Sequence, residues 1–211
     1  MMRSFVKWNL VVLAVAVGLT CAAGAAFADS ITVANASFEI LPSGGFNNNP
    51  GTQEWTTGEG IPGWTTTGNG TGIWNPEGYK SNPPAYAGSY LGYTYEGTIS
   101  QDVGTAVAGS DLTLSVEVLH RTDWLMDGFV QLEIGGVVVA TATVVDAPDN
   151  GPGTWNDWTL SYIPTSGQAG ETITILLGGP GQQADFDDVR MTRTSVPEPS
   201  VLSLLTLGLF G

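Results

Sequence analysis

Apolar and polar residues alternate through the middle of the chain, and this pattern predicts β-strands. In 112–118 every second residue is Leu or Val and the residues between them are polar, as expected of a strand that buries one face. Gly135-Gly136 predicts a hairpin turn into a further strand at 137–145. The same period of two occurs in three more segments, at 129–134, 158–162 and 173–177.

The remaining segments extend this pattern at both ends. Residues 31–40 and 184–192 are expected to form the first and last strands. Residues 41–84 are rich in Gly, Asn, Pro and Thr, and are expected to form long loops with short strands. About eight strands, with no helix-period segment outside the termini, predict an all-β fold: an antiparallel two-sheet β-sandwich, or jelly roll, over 29–194.

The N-terminus has the features of a secretory signal peptide. Arg3 and Lys7 precede an uncharged apolar run from Leu10 to Leu19, which is far shorter than the roughly 20 residues that span a bilayer. Small residues follow and end in Ala26-Phe27-Ala28, a pattern typical of signal cleavage. We therefore predict that residues 1–28 are removed after export; the alternative is an N-terminal membrane anchor.

The C-terminus changes character at residue 195. Pro197-Glu198-Pro199 is followed by an apolar run over 201–211. This tail resembles the PEP-CTERM sorting signal of exported bacterial proteins, although the second half of its membrane helix and its basic cluster are missing. The resemblance implies processing by an exosortase, transient membrane association through the apolar segment, and a location in the cell envelope, at the surface or in the extracellular matrix.

Charge narrows the possible partners of the exported chain. Without residues 1–28, the basic residues that remain are Lys80, Arg121, Arg190 and Arg193, against 20 acidic residues. This balance argues against binding to nucleic acid or to anionic lipid, since both need clustered Lys and Arg. Cys21 lies within the predicted signal peptide, so a disulfide is not expected in the mature domain.

Several short motifs resemble galactose-binding-like jelly rolls and carbohydrate-binding modules. They are Asn35-Ala36-Ser37-Phe38-Glu39, Ile61-Pro62-Gly63-Trp64, Ile99-Ser100-Gln101 and Phe186-Asp187-Asp188-Val189. In such modules the first and last strands lie close together and hold a structural calcium ion. The resemblance therefore implies calcium bound by Glu39, Asp187 and Asp188, which are oxygen ligands of the kind that calcium prefers. The alternative is that these acids face solvent.

Aromatic residues supply the candidate ligand site. Trp64 and Trp158 are expected in the core, whereas four aromatic residues in polar, loop-like contexts are expected to be exposed and to stack on sugar rings: Trp74, Tyr79, Trp124 and Trp155. Arg121 could pair with an acidic sugar, or with Asp123 or Asp127. The predicted partner is a polysaccharide.

Catalytic signatures are scarce in this sequence. His120 is the single histidine, it ends an alternating strand, and no G-x-S-x-G motif accompanies it. We therefore expect a non-catalytic, carbohydrate-binding surface protein rather than an enzyme. Two alternatives remain open: a structural or adhesive matrix protein without a sugar site, and a secreted glycoside hydrolase that uses a pair of the many carboxylates.

Overall fold

A computed structural model describes residues 28–48, 54–68, 70–77, 79–125, 127–144 and 149–195. The predicted signal segment up to residue 27, with Ala26, lies outside the described residues, as does the Pro197-Glu198-Pro199 motif, so these predictions stay predictions. Ala28, the predicted cleavage position, opens the first strand. Within the described part of the chain, no helix has both the length and the apolar character needed to traverse a bilayer.

The described residues form ten strands and one short 3₁₀ turn. The turn is Ser166–Gln168. The strands, in chain order, are β1 (Ala28–Ile31), β2 (Glu54–Trp55), β3 (Thr65–Thr67), β4 (Gly70–Asn75), β5 (Leu91–Thr105), β6 (Asp111–His120), β7 (Phe129–Ile134), β8 (Val137–Thr143), β9 (Thr154–Tyr162) and β10 (Thr172–Thr194).

Two long strands, β5 and β10, pair with each other and run through both faces of the sandwich. The first half of β10 pairs with β7, and β7 with β8, while the second half of β5 pairs with β3. The second half of β10 pairs with β6, and β6 with β9, while the first half of β5 pairs with β4. A register shift between Gly179 and Gln183 separates the two halves of β10. The predicted all-β jelly roll is confirmed.

The main core lies between the two sheets and contains the residues that the alternation places on inward faces. Leu112, Leu114, Val116 and Val118 of β6 are fully buried there, and so is Trp158 of β9. The burial of these apolar side chains supplies the principal driving force for folding. Trp64, the other tryptophan predicted to be internal, is also buried in this core.

The predicted strand at 31–40 is wrong. β1 ends at Ile31, and the chain then turns, because Asn35 and Phe38 have left-handed backbones with φ of 48° and 56°. This conformation breaks a strand but places the Phe38 ring in the core, where it stacks on Trp64 at a centroid distance of 5.5 Å. The apolar residues of this segment are therefore buried as part of a turn and not as part of a strand.

A second, smaller apolar cluster lies on the opposite side of the sheet that contains β4, β5 and β6. Its buried members are Trp74, Leu91, Tyr93 and Leu119, with three partly buried aromatic residues packed against them: Trp55, Tyr79 and Trp155. Since this face is not covered by the other sheet, loops from 76–90 and 121–125 complete the surroundings of the cluster. This outer face carries the candidate site.

Candidate functional site

A cavity of about 270 Å³ opens on the second cluster and is walled mainly by aromatic rings. We call it the aromatic cavity. The lining residues come from four strands, β2, β4, β5 and β10, and from the segments that follow β4 and β6. The lining residues are Trp55, Trp74, Tyr79, Tyr93, Arg121, Trp124 and Gln183.

Arg121 places a cation among these rings. Its side chain is almost fully buried, and its guanidinium carbon lies 4.6 Å from the ring centroid of Trp74 and 5.6 Å from that of Trp124. Nε and Nη2 donate to the two carboxylate oxygens of Asp123, each at 2.9 Å. A paired and stacked guanidinium of this kind presents a flat surface.

Asp123 is ionised and closely held. Burial acts to raise its pKa, but hydrogen bonds from Arg121 and Asn82 outweigh that effect and lower the pKa to about 2. The carboxylate therefore stays charged at pH values well above 2. Of the two partners considered for Arg121 within the chain, Asp123 is the one that the structure shows.

A second carboxyl group, that of Asp185, lies directly behind the cavity wall. It is fully buried, stands opposite Tyr93 in the β5–β10 register, and accepts a hydrogen bond from Gln183 Nε2 at 2.7 Å. Its other oxygen, Oδ2, has no hydrogen-bond partner among the described residues. Burial raises the pKa of Asp185 to about 6, although the charge of Arg121 acts to lower it.

The pairing of a buried acid with an aromatic-walled cavity is a site suited to proton transfer in a water-poor environment. A family model described as HpiC1-like, HpiC1 cyclase, matches residues 29–192, which is well over half of the chain. The chain belongs to the HpiC1-like cyclase family. The prediction that it is not an enzyme is therefore wrong, because a family of cyclases is a family of enzymes.

Solved structures of cyclases share the fold of this family member. The Stig cyclase Fisc from Fischerella sp. TAU, in complex with (3Z)-3-(1-methyl-2-pyrrolidinylidene)-3H-indole, aligns with a TM-score of 0.67 and 21% identity over 82% of this chain and 100% of that chain. An apo cyclase from Fischerella sp. aligns with a TM-score of 0.66 and 18% identity, over 81% and 98%.

A third structure is a cyclase from Fischerella sp. TAU in complex with 4-(1H-indol-3-yl)butan-2-one, with a TM-score of 0.64 and 21% identity over 81% of this chain and 99% of that chain. At these identities the likeness establishes a common fold. Carbohydrate-binding modules align with TM-scores of only 0.40 to 0.43, which carries no argument about ligands. No curated protein matches the chain in sequence.

Four of the five predicted ligand residues meet at the aromatic cavity of this cyclase-family chain: Trp74, Tyr79, Arg121 and Trp124. Trp124 is 41% exposed, as expected, but Trp74 is only 3% exposed because it lies in β4 rather than in a loop. Trp155 is not among the lining residues. It packs edge-on against Tyr86, and its indole nitrogen donates to the carbonyl oxygen of Pro84.

Sequence reasoning missed the other lining residues and the acid behind them. Trp55 is one tryptophan among several, and Tyr93 and Gln183 give no signal of their own. Asp185 is one of 20 acidic residues, and nothing local distinguishes it.

The predicted calcium ligands hold a loop. Glu39 Oε1 accepts two backbone hydrogen bonds at 2.8 and 2.7 Å, and Asp187 Oδ2 accepts one at 2.9 Å; the donors are Ser89, Tyr90 and Ala87 respectively. Glu39 and Asp187 thus meet the same short segment, which runs from 87 to 90. Burial raises the pKa of Asp187 to about 7.

Asp188 is engaged elsewhere, since its carboxylate pairs with Arg190 Nε at 3.1 Å. Across the described residues, no three His, Cys, Asp or Glu side chains are grouped so that they could share a cation. Glu39 and Asp187 therefore contact the 87–90 segment, whereas Asp188 contacts Arg190. Calcium binding by this family member stays a prediction from resemblance, and no step below depends on it.

Proposed function

We propose that the chain is a cyclase that binds a planar aromatic substrate in the aromatic cavity and triggers ring closure with the proton of Asp185. The observation that carries the proposal is a fully buried carboxyl group that is hydrogen-bonded to Gln183, a residue of the aromatic-walled cavity. Membership of a cyclase family supplies the reaction class.

The walls of the cavity favour a flat and largely apolar ligand. Aromatic rings prefer offset-stacked or edge-on partners, and the guanidinium of Arg121 adds a face that attracts an electron-rich ring. A volume of about 270 Å³ suits a bicyclic ring with a short side chain. Since related cyclases have been crystallised with indole compounds, we propose an indole-bearing substrate.

Asp185 is suited to the role of proton donor. With a pKa of about 6, a useful fraction of the carboxyl group is protonated near neutral pH, and Oδ2 is not committed to another group in the described part of the chain. Gln183 lines the cavity and hydrogen-bonds to Asp185, so direct contact with a substrate requires the Gln183 side chain to move aside. A ligand amine or imine can displace that amide from the carboxyl group.

In the proposed reaction Asp185 first donates a proton and later recovers one. The acid gives its proton to a basic atom or double bond of the substrate, which becomes electron-poor. A carbon–carbon double bond elsewhere in the substrate then supplies the electron pair of the new ring bond. Loss of a proton from a neighbouring carbon to the Asp185 carboxylate restores both the neutral product and the acid, so the product is an isomer of the substrate.

Binding and turnover test the proposal separately. Titration calorimetry with 4-(1H-indol-3-yl)butan-2-one should show a single site in the wild type. A panel of alkenyl indoles, followed by chromatography and mass spectrometry, should yield a product of unchanged mass and altered retention. Asp185→Asn should bind the probe but lower turnover by about 100-fold or more, the usual contribution of a general acid.

Asp157→Asn is the matched control, because Asp157 is a half-exposed carboxylate that contacts Arg190 rather than the cavity. It should leave binding and turnover unchanged. Absence of probe binding to the wild type, or full turnover by Asp185→Asn, contradicts the proposal. Specific binding of wild type to polysaccharides on a glycan array, lost in Trp124→Ala, would instead favour the sugar-binding function expected from the sequence.

We propose that the protein acts outside the cytoplasm. This proposal rests on the predicted signal peptide at 1–28 and does not depend on the aromatic cavity.

A further inference from the structure

We propose that Asp123 is a positioning residue that fixes two walls of the aromatic cavity at once, the Arg121 guanidinium and the turn at 79–82, and thereby sets the affinity for a planar ligand. The inference rests on the proposed function, because it concerns the same cavity. Asp123 does not itself line the cavity, so it acts through the groups that do.

The first wall is the guanidinium of Arg121. Two parallel hydrogen bonds of 2.9 Å to Asp123 define both the position and the plane of the group. The guanidinium carbon lies 4.6 Å from the ring centroid of Trp74 and 5.6 Å from that of Trp124, and both rings line the cavity. Without the carboxylate, an almost fully buried cation would lose its partner and seek another acceptor, and Asp185 Oδ2 is unpartnered among the described residues.

The second wall is the turn at 79–82, which carries the lining residue Tyr79. Lys80 and Ser81 both have left-handed backbones, with φ of 45° and 61°, a conformation that non-glycine residues adopt only when their surroundings hold them. Lys80 Nζ lies 3.2 Å from Asp123 Oδ2, and Asn82 Nδ2 donates to Asp123 Oδ1 at 3.1 Å. The Tyr79 ring stands edge-on to Trp74 at 6.0 Å.

The neighbour of Asp123 reinforces the same turn. The backbone N–H of Thr122 donates to Asn82 Oδ1 at 2.9 Å, and the Thr122 hydroxyl donates to the carbonyl oxygen of Lys80 at 2.7 Å. Asp123 is thus the point at which the segment after β6 joins Arg121 to the strained turn. Removing its charge should loosen both walls together while leaving the main core, on the other side of the sheet, unchanged.

The test measures the affinity of the full chain for 4-(1H-indol-3-yl)butan-2-one at a temperature well below the melting temperature. Asp123→Asn keeps the size of the side chain but loses the charge and one acceptor. We expect the Kd for the probe to rise roughly 10-fold or more, in line with the loss of a charge-assisted pair. Asn82→Ala, which removes contacts of the turn at 79–82 but leaves the Arg121–Asp123 pair, should raise the Kd by a smaller factor.

A double-mutant cycle with Arg121→Gln separates positioning from general destabilisation. If Asp123 acts through Arg121, the effects on Kd should be less than multiplicative in the double variant. Asp157→Asn, which removes a carboxylate contact to Arg190 outside the cavity, should leave Kd unchanged. A purely structural role would lower the melting temperature of Asp123→Asn without changing Kd at low temperature.

The outcomes distinguish this inference from the proposed function. If the wild type binds the probe and folded Asp123→Asn binds it equally well, the inference is overturned and the proposed function stands. If the wild type does not bind the probe, the proposed function fails. Should Asp123→Asn fail to fold, Asn82→Ala and Lys80→Met decide the question, because both remove contacts between Asp123 and the turn at 79–82 and leave the Arg121 pair; unchanged Kd in both overturns the inference.

Discussion

The stability of the Asp185→Asn variant relative to wild type should increase as the pH rises, because the buried carboxyl group of the wild type resists ionisation. Its pKa is raised from 3.8 to about 6. Between these values the unfolded chain has released the proton while the folded chain retains it, so the free energy of unfolding of the wild type falls as the pH increases. The contribution becomes constant only well below the unfolded pKa of 3.8 and well above the folded pKa of about 6.

The magnitude follows from the size of the shift. Each pKa unit corresponds to about 1.36 kcal/mol, so a shift of about two units costs the wild type about 3 kcal/mol above pH 6. The asparagine of the Asp185→Asn variant cannot ionise and therefore avoids this cost, although its amide N–H groups need acceptors and their burial adds a pH-independent penalty of about 1–3 kcal/mol. The informative quantity is the change with pH of the difference between variant and wild type, from which that penalty cancels.

Urea unfolding followed by tryptophan emission from about pH 4 to about pH 8 measures this difference. We expect the stability of Asp185→Asn relative to wild type to increase by about 2–3 kcal/mol over that range, a change in relative melting temperature of roughly 4–12 °C. Other groups, including the buried Asp187, titrate alike in both proteins and do not enter the difference. A constant offset between the two curves at every pH would refute the reasoning, because it would mean that Asp185 has an ordinary pKa in the folded state.

Two further predictions concern carboxylates away from the aromatic cavity. Glu39→Gln should lower the free energy of unfolding by about 1 kcal/mol or less, because a neutral amide is a weaker acceptor for the N–H groups of Ser89 and Tyr90. The loss measured in urea should be equal with EDTA and with added calcium, whereas a calcium-dependent loss would support a calcium site at Glu39. A hydrogen bond of 2.8 Å from His120 lowers the pKa of Asp149 in the folded state. The pairing therefore stabilises the folded state at pH values above the unfolded pKa of Asp149. This stabilisation is lost as the pH falls through the lowered, folded-state pKa. His120→Gln should return the pKa of Asp149, measured by NMR titration, toward 3.8, and an unchanged value would contradict this.

The strands that alternation predicts best are those with one buried face and no backbone irregularity. β6, β7 and β9 follow the period-two pattern because each has one face on the main core and the other toward solvent or the outer cluster. The segments 173–177 and 184–192 are predicted as two strands and are one, because the glycine-rich stretch between them forms a bulge instead of a turn. A bulge and a turn share the same residue preferences, so composition could not separate them.

The candidate site can be predicted in part because its aromatic residues are unusual in number and context. Trp74, Tyr79, Arg121 and Trp124 come from segments that are distant in sequence, and only the pairing of β4 with β5 and the course of the later loops bring them together. Asp185 could not be found in this way. Its chemistry depends on desolvation, which is a property of everything packed around it and not of its own sequence neighbours.

The two faces of one sheet serve different purposes in this β-sandwich. The inner face of β5, β6 and β10 is committed to the core, so its residues are fixed by packing. The outer face does not pack against the other sheet. Loops cover it instead, and beneath them lie the Asp185 carboxyl group, the paired Arg121 guanidinium and several aromatic rings. Burial raises the pKa of Asp185, whereas pairing lowers that of Asp123, although the two carboxyls lie near the same guanidinium. Function in such a fold is therefore decided by which polar groups the loops shield from water, and the scaffold beneath can stay the same.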